Sequence, residues 1–345
     1  MLRRAKSPRK RMIAELESYA RKALSNAKEA LKSLPSTDQL SDELRGELSE
    51  ALLFIDLADY ALSQSLYAQA SYRALSAIGH LELIKVINEW NKLGSQEVLK
   101  KATSLVESTS KSILKLNERI SLAESKISNV KYLDWVAFAG FHMLWTINAF
   151  NSMKAEFEKK KRIGAAAECL NIANFLSYIE HILNIASAYA YPAKADTKPS
   201  LKQLALKHID SAKQELSHDK GIKSLFFRNV GEKHLAYIEA AKADLDKLPI
   251  TGLLLQISFI LSSYKAEDVS VDEVKKRVLS IEGELRFTSS KQFVEAVKLN
   301  LEVMQRVKKK KLVESLAHDS RVLLEATIRA EKLIDEISSF LSLRT

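Results

Sequence analysis

Apolar residues recur along this chain at intervals of three and four positions, from near the N-terminus to near the C-terminus. Leu16, Tyr19 and Ala23, for example, keep this spacing, which places their side chains on one face of a helix. An alternation of apolar and polar residues long enough for a strand does not occur. The pattern predicts an all-α protein.

The apolar stripes are long and the breaks between them are short, which is typical of antiparallel helical hairpins. Two segments match a capping box at a helix start, Ser36-x-x-Gln39 and Ser270-x-x-Glu273. We expect a multi-helix bundle of long antiparallel hairpins with about twelve helices. They are predicted at about residues 7–33, 40–62, 67–90, 96–128, 135–153, 165–191, 200–217, 221–247, 252–265, 271–284, 290–307 and 312–343.

The clearest linker is the segment 192–199, which is flanked by prolines and has a loop-like composition. It predicts a division into two lobes. The first contains a helical bundle with a basic arm at residues 1–94 and a helical continuation at residues 95–191. The C-terminal lobe covers residues 200–345.

The segment from Trp135 to Met153 contains no charged residue, which leaves two interpretations. Its nineteen residues approach the roughly 20 that span a bilayer. Polar residues are scattered around the segment, however, and no second span accompanies it. We therefore expect a central helix that is buried on all sides. Its aromatic anchors would be Trp135, Phe138, Phe141, Trp145 and Phe150.

Composition narrows the class of protein. Nine glycines and five prolines in 345 residues are too few for the tight turns of sandwiches, barrels and doubly wound sheets. The single cysteine, Cys169, excludes an internal disulfide framework and a cysteine-based zinc site, and it suits a reducing compartment. Glu15, Glu17 and Arg21 interrupt the region in which a signal peptide would need an apolar run. We expect a cytoplasmic protein.

The net charge of +10 is concentrated in three short clusters. Residues 1–11 carry six bases and no acid, whereas residues 154–162 and 306–311 have net charges of +3 and +5. The rest of the chain is therefore net acidic. Such local concentration of bases is typical of proteins that bind polyanions. The candidate nucleic-acid-binding residues are Arg3, Arg4, Lys6, Arg9, Lys10, Arg11, Lys159, Lys160, Lys161, Arg162, Arg306, Lys308, Lys309, Lys310 and Lys311.

A structural explanation for the same bases stays open. Lysine and arginine at a helix C-terminus gain about 0.3–1 kcal/mol each from the helix dipole, and the two later clusters fall at predicted helix ends. That explanation does not cover the N-terminal arm, which precedes a helix. Anionic membrane is a third option, but few bulky apolar residues accompany the arm. If RNA is the partner, we expect contacts with phosphates and shape, because no aromatic residues are interleaved with the bases.

Motifs for chemistry are scarce. The chain has no glycine-rich phosphate loop, no GxSxG elbow and no HExxH pair. A di-iron site needs two Glu-x-x-His pairs, and only Glu215-x-x-His218 is present. Cys169 lies among small and apolar residues, which favours a buried, inert thiol. We therefore assign no catalytic, cofactor-binding or metal-binding residue, no cofactor and no small-molecule substrate.

The segment Leu52–Ile84 joins a helix rich in alanine and tyrosine, a short turn with an aromatic residue, and a second alanine-rich helix that carries Glu82. With its surroundings, at about residues 12–90, it resembles a small archaeal helical-bundle domain family of unknown function. The resemblance covers about a quarter of the chain. It implies a helical bundle and an archaeal origin, and the family brings no known catalytic residues.

Arg228 and His234 resemble the Arg-x(4–6)-His motif of the HEPN-type helical ribonucleases. In that family the two residues meet at a dimer interface and act on an RNA phosphate, so the resemblance implies RNA cleavage. Arg73 and His80 fit the same loose pattern. On an unbroken helix, residues six apart point about 120° away from each other. This geometry disfavours a joint site at residues 228 and 234.

These observations favour a non-enzymatic helical binding or scaffold protein. Its partner would be RNA or a ribonucleoprotein, such as the ribosome, contacted through the basic clusters. A helical protein–protein adaptor, or a homodimer, is the alternative. A helical ribonuclease is the third hypothesis.

Overall fold

The architecture is given by a computed structural model, which describes residues 8–34, 36, 40–160, 163–193, 195–218, 231–307 and 310–343. Within these ranges the chain forms thirteen α-helices and no β-strand, which confirms the prediction of an all-α, multi-helix bundle. The helices are α1 (Pro8–Lys32), α2 (Asp42–Ser63), α3 (Tyr67–Trp90), α4 (Ser95–Glu124), α5 (Val130–Lys160), α6 (Ile163–Ala167), α7 (Cys169–Ser187), α8 (Lys198–His218), α9 (Gly231–Ala243), α10 (Ile250–Lys265), α11 (Val271–Glu282), α12 (Thr288–Arg306) and α13 (Lys310–Phe340).

Two of the connections between helices bear on the predictions from the sequence. The segment after Gly164 was expected to be one helix, but the described chain breaks at Glu168, between α6 and α7. The predicted turn at residues 64–66 is confirmed, and Ser65 adopts a left-handed backbone conformation there with φ 59°. This turn lets α2 fold back along α3, and the longer helices α12 and α13 pack along each other in the same way.

The chain divides into two compact units. Unit 1 comprises Met1–Leu116 and Trp145–His181, and unit 2 comprises Asn117–Leu144 and Ile182–Thr345. Both units are discontinuous along the sequence, because α4, α5 and α7 each contribute to both. The domain bounds expected from composition, with a linker at 192–199, stay predictions.

Serine residues cap two helices, and the sequence identified one of them. Ser270 precedes α11, and its hydroxyl accepts a hydrogen bond from the N–H of Glu273 at 3.2 Å, as the capping motif predicts. For α2 the prediction is wrong. The cap is Ser41, which accepts from the N–H of Leu44 at 3.4 Å, rather than the Ser36 motif. The helix starts only at Asp42, and a cap must adjoin the first turn to reach its free N–H groups.

Helix α12 in unit 2 is capped by carboxylates that come from distant parts of the chain. Its N-cap residue, Phe287, has no side chain that can accept a hydrogen bond. Asp134 of α5 accepts instead, from the N–H groups of Thr288 at 2.7 Å and Ser289 at 3.0 Å. Glu331 of α13 accepts from the N–H of Phe287 at 2.9 Å. These bonds tie α5 and α13 to one helix end, which favours the negative charge.

Helix α10 is capped in the same manner. It follows Pro249, which has no side-chain acceptor. Glu124, the last residue of α4, is buried and accepts hydrogen bonds from Thr251, at 2.6 Å from the backbone N–H and 2.8 Å from the hydroxyl. The other carboxylate oxygen of Glu124 is buried and has no hydrogen-bond partner in the described part of the chain. The N-terminal end of α10 therefore depends on a residue that lies more than a hundred positions earlier.

The uncharged segment 135–153 belongs to a longer helix, α5, and is not buried on all sides. Trp135, Phe138, Phe141 and Phe150 are core residues, as predicted, but Trp145 is 45% exposed, which corrects the expectation that it anchors the core. Residues 132–141 are buried around the whole circumference of α5. Beyond residue 144 the buried positions recur only every three or four residues, so a single face is covered. Trp145 lies outside that face.

None of the helices in the described ranges combines the length and the apolar character that a membrane crossing requires.

The exposure difference between the two tryptophans of α5 predicts different costs of truncation. Trp135→Ala should destabilise the protein by about 3–5 kcal/mol, because it leaves a cavity in the core. Trp145→Ala should cost only about 1–2 kcal/mol, since nearly half of that side chain is already in contact with water. Chemical denaturation followed by circular dichroism measures both values. Equal losses would contradict the described environment of Trp145.

Candidate nucleic-acid interface

Four of the predicted phosphate-binding side chains lie in the described part of the chain, and all four are exposed: Lys159, Arg306, Lys310 and Lys311. The backbone of four others belongs to α1 or α5, although their side chains are not described: Arg9, Lys10, Arg11 and Lys160. The remaining seven lie outside the described residues: Arg3, Arg4, Lys6, Lys161, Arg162, Lys308 and Lys309.

Some of these bases lie where the helix dipole favours them. Lys159 and Lys160 belong to the last turn of α5, and Arg306 is the last residue of α12. Arg306 also pairs with Glu302, one turn earlier, at 2.7 Å. A cation at a helix C-terminus is stabilised by the exposed carbonyl groups. Helix stability alone therefore accounts for these three positions.

Other bases lie where the helix dipole opposes them. Lys310 and Lys311 are the first two residues of α13, and Arg9 to Arg11 fall in the first turn of α1. Neither first turn contains an acidic residue. A cation at a helix N-terminus loses about 0.3–1 kcal/mol relative to a neutral residue, by reversal of the usual gain. The helix-end explanation therefore has the wrong sign for residues 9–11 and for Lys310 and Lys311.

The junction between α12 and α13 brings one cluster together in unit 2. Arg306 ends one helix and Lys310 begins the next, with Val307 between them as the only described residue. Lys310 lies 3.9 Å from Glu314 in an exposed pair, which contributes little in water. The other two clusters belong to unit 1.

The chemical environment of Cys169 agrees with a structural role. The residue is buried in the described structure. Burial raises the pKa of its thiol to about 11, although a contact with Thr109 acts in the opposite direction. At neutral pH the thiol therefore stays protonated, and a protonated thiol is a poor nucleophile.

Metal-binding groups do not come together in the described chain. No set of three or more histidine, cysteine, aspartate or glutamate side chains there is arranged to hold a metal ion. Glu215, half of the lone Glu-x-x-His pair, forms an ion pair with Lys265.

The structure describes both residues of only one of the two Arg–His patterns. Arg228 lies outside the described residues, and His234 belongs to α9, which begins at Gly231. Arg73 and His80 both lie on α3, and the ring of Phe54 contacts each of them. His80 Nδ1 lies 2.6 Å from Glu47 Oε2. The imidazole thus has a carboxylate neighbour on α2, a contact that sequence spacing cannot reveal.

No protein-family model, curated protein or solved structure matches this chain. The resemblances at Leu52–Ile84 and at Arg228–His234, with the archaeal origin and the ribonuclease activity that they imply, stay predictions. The function of the protein therefore has to be inferred from the charges and contacts of the chain itself.

Proposed function

We propose that this protein is a non-enzymatic helical scaffold that binds RNA or a ribonucleoprotein through its basic clusters. The observation that supports this most directly is the position of the bases at the start of α1 and of α13. At a helix start these side chains cost stability. Binding of a polyanionic partner to these bases would compensate for their cost to helix stability, whereas solvation of the same bases does not.

Two features of the helix starts suit phosphate. The first N–H groups of a helix have no partner within the helix, and the dipole places partial positive charge there. Lys310 and Lys311 add two exposed ammonium groups at the start of α13. Because lysine acts as a point charge and not as a reader of base edges, we expect binding that depends weakly on RNA sequence.

Substitution of Lys308–Lys311 by serine tests the proposal. Each phosphate that a cation neutralises releases counterions, so the logarithm of the affinity falls with the logarithm of the salt concentration by about 0.7 per contact on a single strand. The three clusters hold sixteen bases, of which about a third to a half can contact phosphate together, so we expect a slope of about −4 to −6. The fourfold variant should flatten this slope by about 1–3 and weaken binding to all sequences alike. Fluorescence anisotropy at several salt concentrations measures it.

A matched control removes the same charge elsewhere. Lys100, Lys101, Lys111 and Lys115 are exposed on α4, outside the clusters. Their replacement by serine should change the slope by less than about 0.5. Equal slopes for the two fourfold variants, or unmeasurable RNA affinity in the unsubstituted protein, would contradict RNA binding through the clusters. The protein–protein adaptor would then become the leading hypothesis.

The same samples separate a scaffold from a ribonuclease. A non-enzymatic protein should leave the bound RNA at full length after prolonged incubation. Cleavage that disappears in the His234→Ala variant would instead support the ribonuclease hypothesis, because histidine exchanges protons near neutral pH.

A further inference from the structure

The connection between α7 and α8 carries the most exposed aromatic side chain in the described part of the chain. Tyr191 is 69% exposed, and its ring packs against no other ring there. Pro192 follows it and restricts the backbone of Tyr191 toward extended conformations. A single exposed ring is ordinary on a protein surface. Its significance therefore depends on how the ring is held and on which groups surround it.

The backbone that carries this ring is fixed against the start of α5. The N–H of Tyr191 donates to Ser128 Oγ at 3.1 Å, and Asn129 Nδ2 donates to the carbonyl oxygen of Tyr189 at 2.8 Å. The other amide atom of Asn129, Oδ1, accepts from the N–H of Tyr132 at 3.0 Å and so caps α5. A ring on a fixed backbone loses little conformational freedom when a ligand packs on it, which favours binding.

The same contacts bring two lysines to the segment that carries the ring. Lys126 lies two residues before Ser128, and Lys131 lies two residues after Asn129. Both lysine side chains are exposed, and neither forms an ion pair with a described residue. Two residues span at most about 7 Å of chain, so both lysines stay close to the anchored segment. In the sequence, at least sixty positions separate them from Tyr191.

The surroundings of the ring are basic. Residues 125–133 and 188–195 contain three lysines and no acid. The acids that adjoin the first segment, Glu124 and Asp134, are buried and cap α10 and α12. Asp196, which follows the second segment, accepts a hydrogen bond from a backbone N–H at the start of α8. This local charge favours an anionic partner.

The apolar groups narrow the class of partner further. Tyr191 is the only exposed large apolar side chain among the described residues of the two segments. The core of a protein interface usually contains several such groups. One aromatic ring among lysines instead matches the binding of single-stranded nucleic acid, in which a base stacks on the ring and cations contact the backbone.

We propose that Tyr191 is a platform on which one base of single-stranded RNA stacks, while Lys126 and Lys131 contact neighbouring phosphates. The inference rests on the proposed function and deepens it, because it adds a base contact to the phosphate contacts of the basic clusters. Every base has a face that can stack, so this contact tolerates any sequence. It does require a base that is not held within a duplex.

Fluorescence anisotropy with two forms of one RNA tests the base contact. Tyr191→Ala should weaken binding of a single strand of about twelve nucleotides about 10-fold. Binding of the corresponding duplex should change less than about 2-fold, because duplex bases stay stacked on each other. Tyr191→Phe should keep the single-strand affinity within about 2-fold, since the ring stacks and the hydroxyl does not. The matched control, Phe340→Ala, removes an exposed ring from α13 in the same unit and should also stay within about 2-fold.

The salt dependence of single-strand binding separates the two kinds of contact. Joint replacement of Lys126 and Lys131 by serine should flatten the slope by about 1.4, which is about 0.7 for each lost phosphate contact. Tyr191→Ala removes no charge and should change the slope by less than about 0.3. Joint replacement of Lys111 and Lys115, which are exposed on α4, is the control for the lysine pair and should also change it by less than about 0.3.

Several outcomes would overturn the inference. Unchanged single-strand affinity in Tyr191→Ala would do so and would leave the proposed function standing, because the Lys308–Lys311 variant tests the basic clusters independently. Equal losses on single strand and duplex, or equal losses in Tyr191→Ala and either Tyr191→Phe or Phe340→Ala, would also exclude stacking on this ring. Unmeasurable RNA affinity in the unsubstituted protein would overturn both proposals. The thermal midpoint of Tyr191→Ala should stay within about 2 °C of the unsubstituted value, and a larger fall would show that the ring supports the fold instead.

Discussion

Replacement of Gly252 by alanine should destabilise unit 2 by at least about 3 kcal/mol, as expected for a core contact that cannot relax. A Cβ atom at this position would lie 2.1 Å from the carbonyl carbon of Gly140 and 2.6 Å from the nitrogen of Phe141. These are backbone atoms of α5, so α10 would have to move as a whole. The gain in helix propensity, about 1 kcal/mol for alanine over glycine, does not offset the clash.

Two other glycines calibrate this prediction. A Cβ at Gly46 on α2 would have no atom within 4 Å, so Gly46→Ala should stabilise the protein by about 0.5–1 kcal/mol. A Cβ at Gly79 would meet the Asn171 side chain at 2.5 Å, and Gly79→Ala should fall between the other two because a side chain can rotate away. Urea denaturation gives all three values. A loss below about 1 kcal/mol for Gly252→Ala would mean that α5 and α10 are not in backbone contact.

The titration of Glu124 should lower the free energy of unfolding as the pH rises. Burial raises the pKa of Glu124 from 4.5 to about 7, although hydrogen bonds from Thr251 act in the opposite direction. The folded chain therefore holds a proton that the unfolded chain releases between these pH values. The contribution of this group to stability is complete below pH 4.5 and is lost as the pH rises through about 7. The loss amounts to about 3 kcal/mol.

The titration of His142 should raise the free energy of unfolding as the pH rises, in nearly the same pH range. Burial lowers the pKa of His142 from 6.5 to about 4, although its contact with Gln292 acts against this shift. The folded pKa lies below the unfolded one, so the stabilisation is complete above pH 6.5 and is lost as the pH falls through about 4. This loss is also about 3 kcal/mol. In the unsubstituted protein the two contributions oppose each other.

Single variants should separate the two contributions. The free energy of unfolding of Glu124→Gln, relative to the unsubstituted protein, should rise by about 3 kcal/mol from pH 4.5 to 8, because glutamine stays neutral. The relative value for His142→Gln should fall over the same range. Urea denaturation at each pH measures both, and the double variant should show a slope close to the original. A Glu124→Gln curve parallel to that of Glu118→Gln, which removes an exposed carboxylate from the same helix, would contradict the burial of Glu124.

The sequence predicted most helix positions because the three- and four-residue period is local. The starts of α11 and α13 fall within two residues of their expected positions. The break at Glu168 was missed, since no proline or glycine adjoins it there. Trp145 was expected in the core because its segment contains no charged residue, and buried helices usually lack charged residues. Uncharged residues tolerate either environment, so composition alone cannot show where neighbouring helices stop covering α5.

The cap residues of α10 and α12 could not be predicted from the sequence. Asp134 and Glu124 look like ordinary charged positions, and their hydrogen-bond partners lie more than a hundred residues away. Phe287 and Pro249 provide no capping side chain, so a motif search finds no signal at either helix start. The cluster of planar side chains formed by Phe54, Tyr72, Arg73, His80 and Phe175 is equally hidden, because α2, α3 and α7 each supply part of it.

Residue types and short-range spacing were enough to define the helical class of this protein and the sizes of its three basic clusters. The folded chain showed that Lys310 and Lys311 also oppose a helix dipole, because a shift of a few residues moves a lysine from the end of one helix to the start of the next. It also decided which charges are paired. Pairing depends on helices that meet across long stretches of chain, as Glu215 of α8 and Lys265 of α10 do.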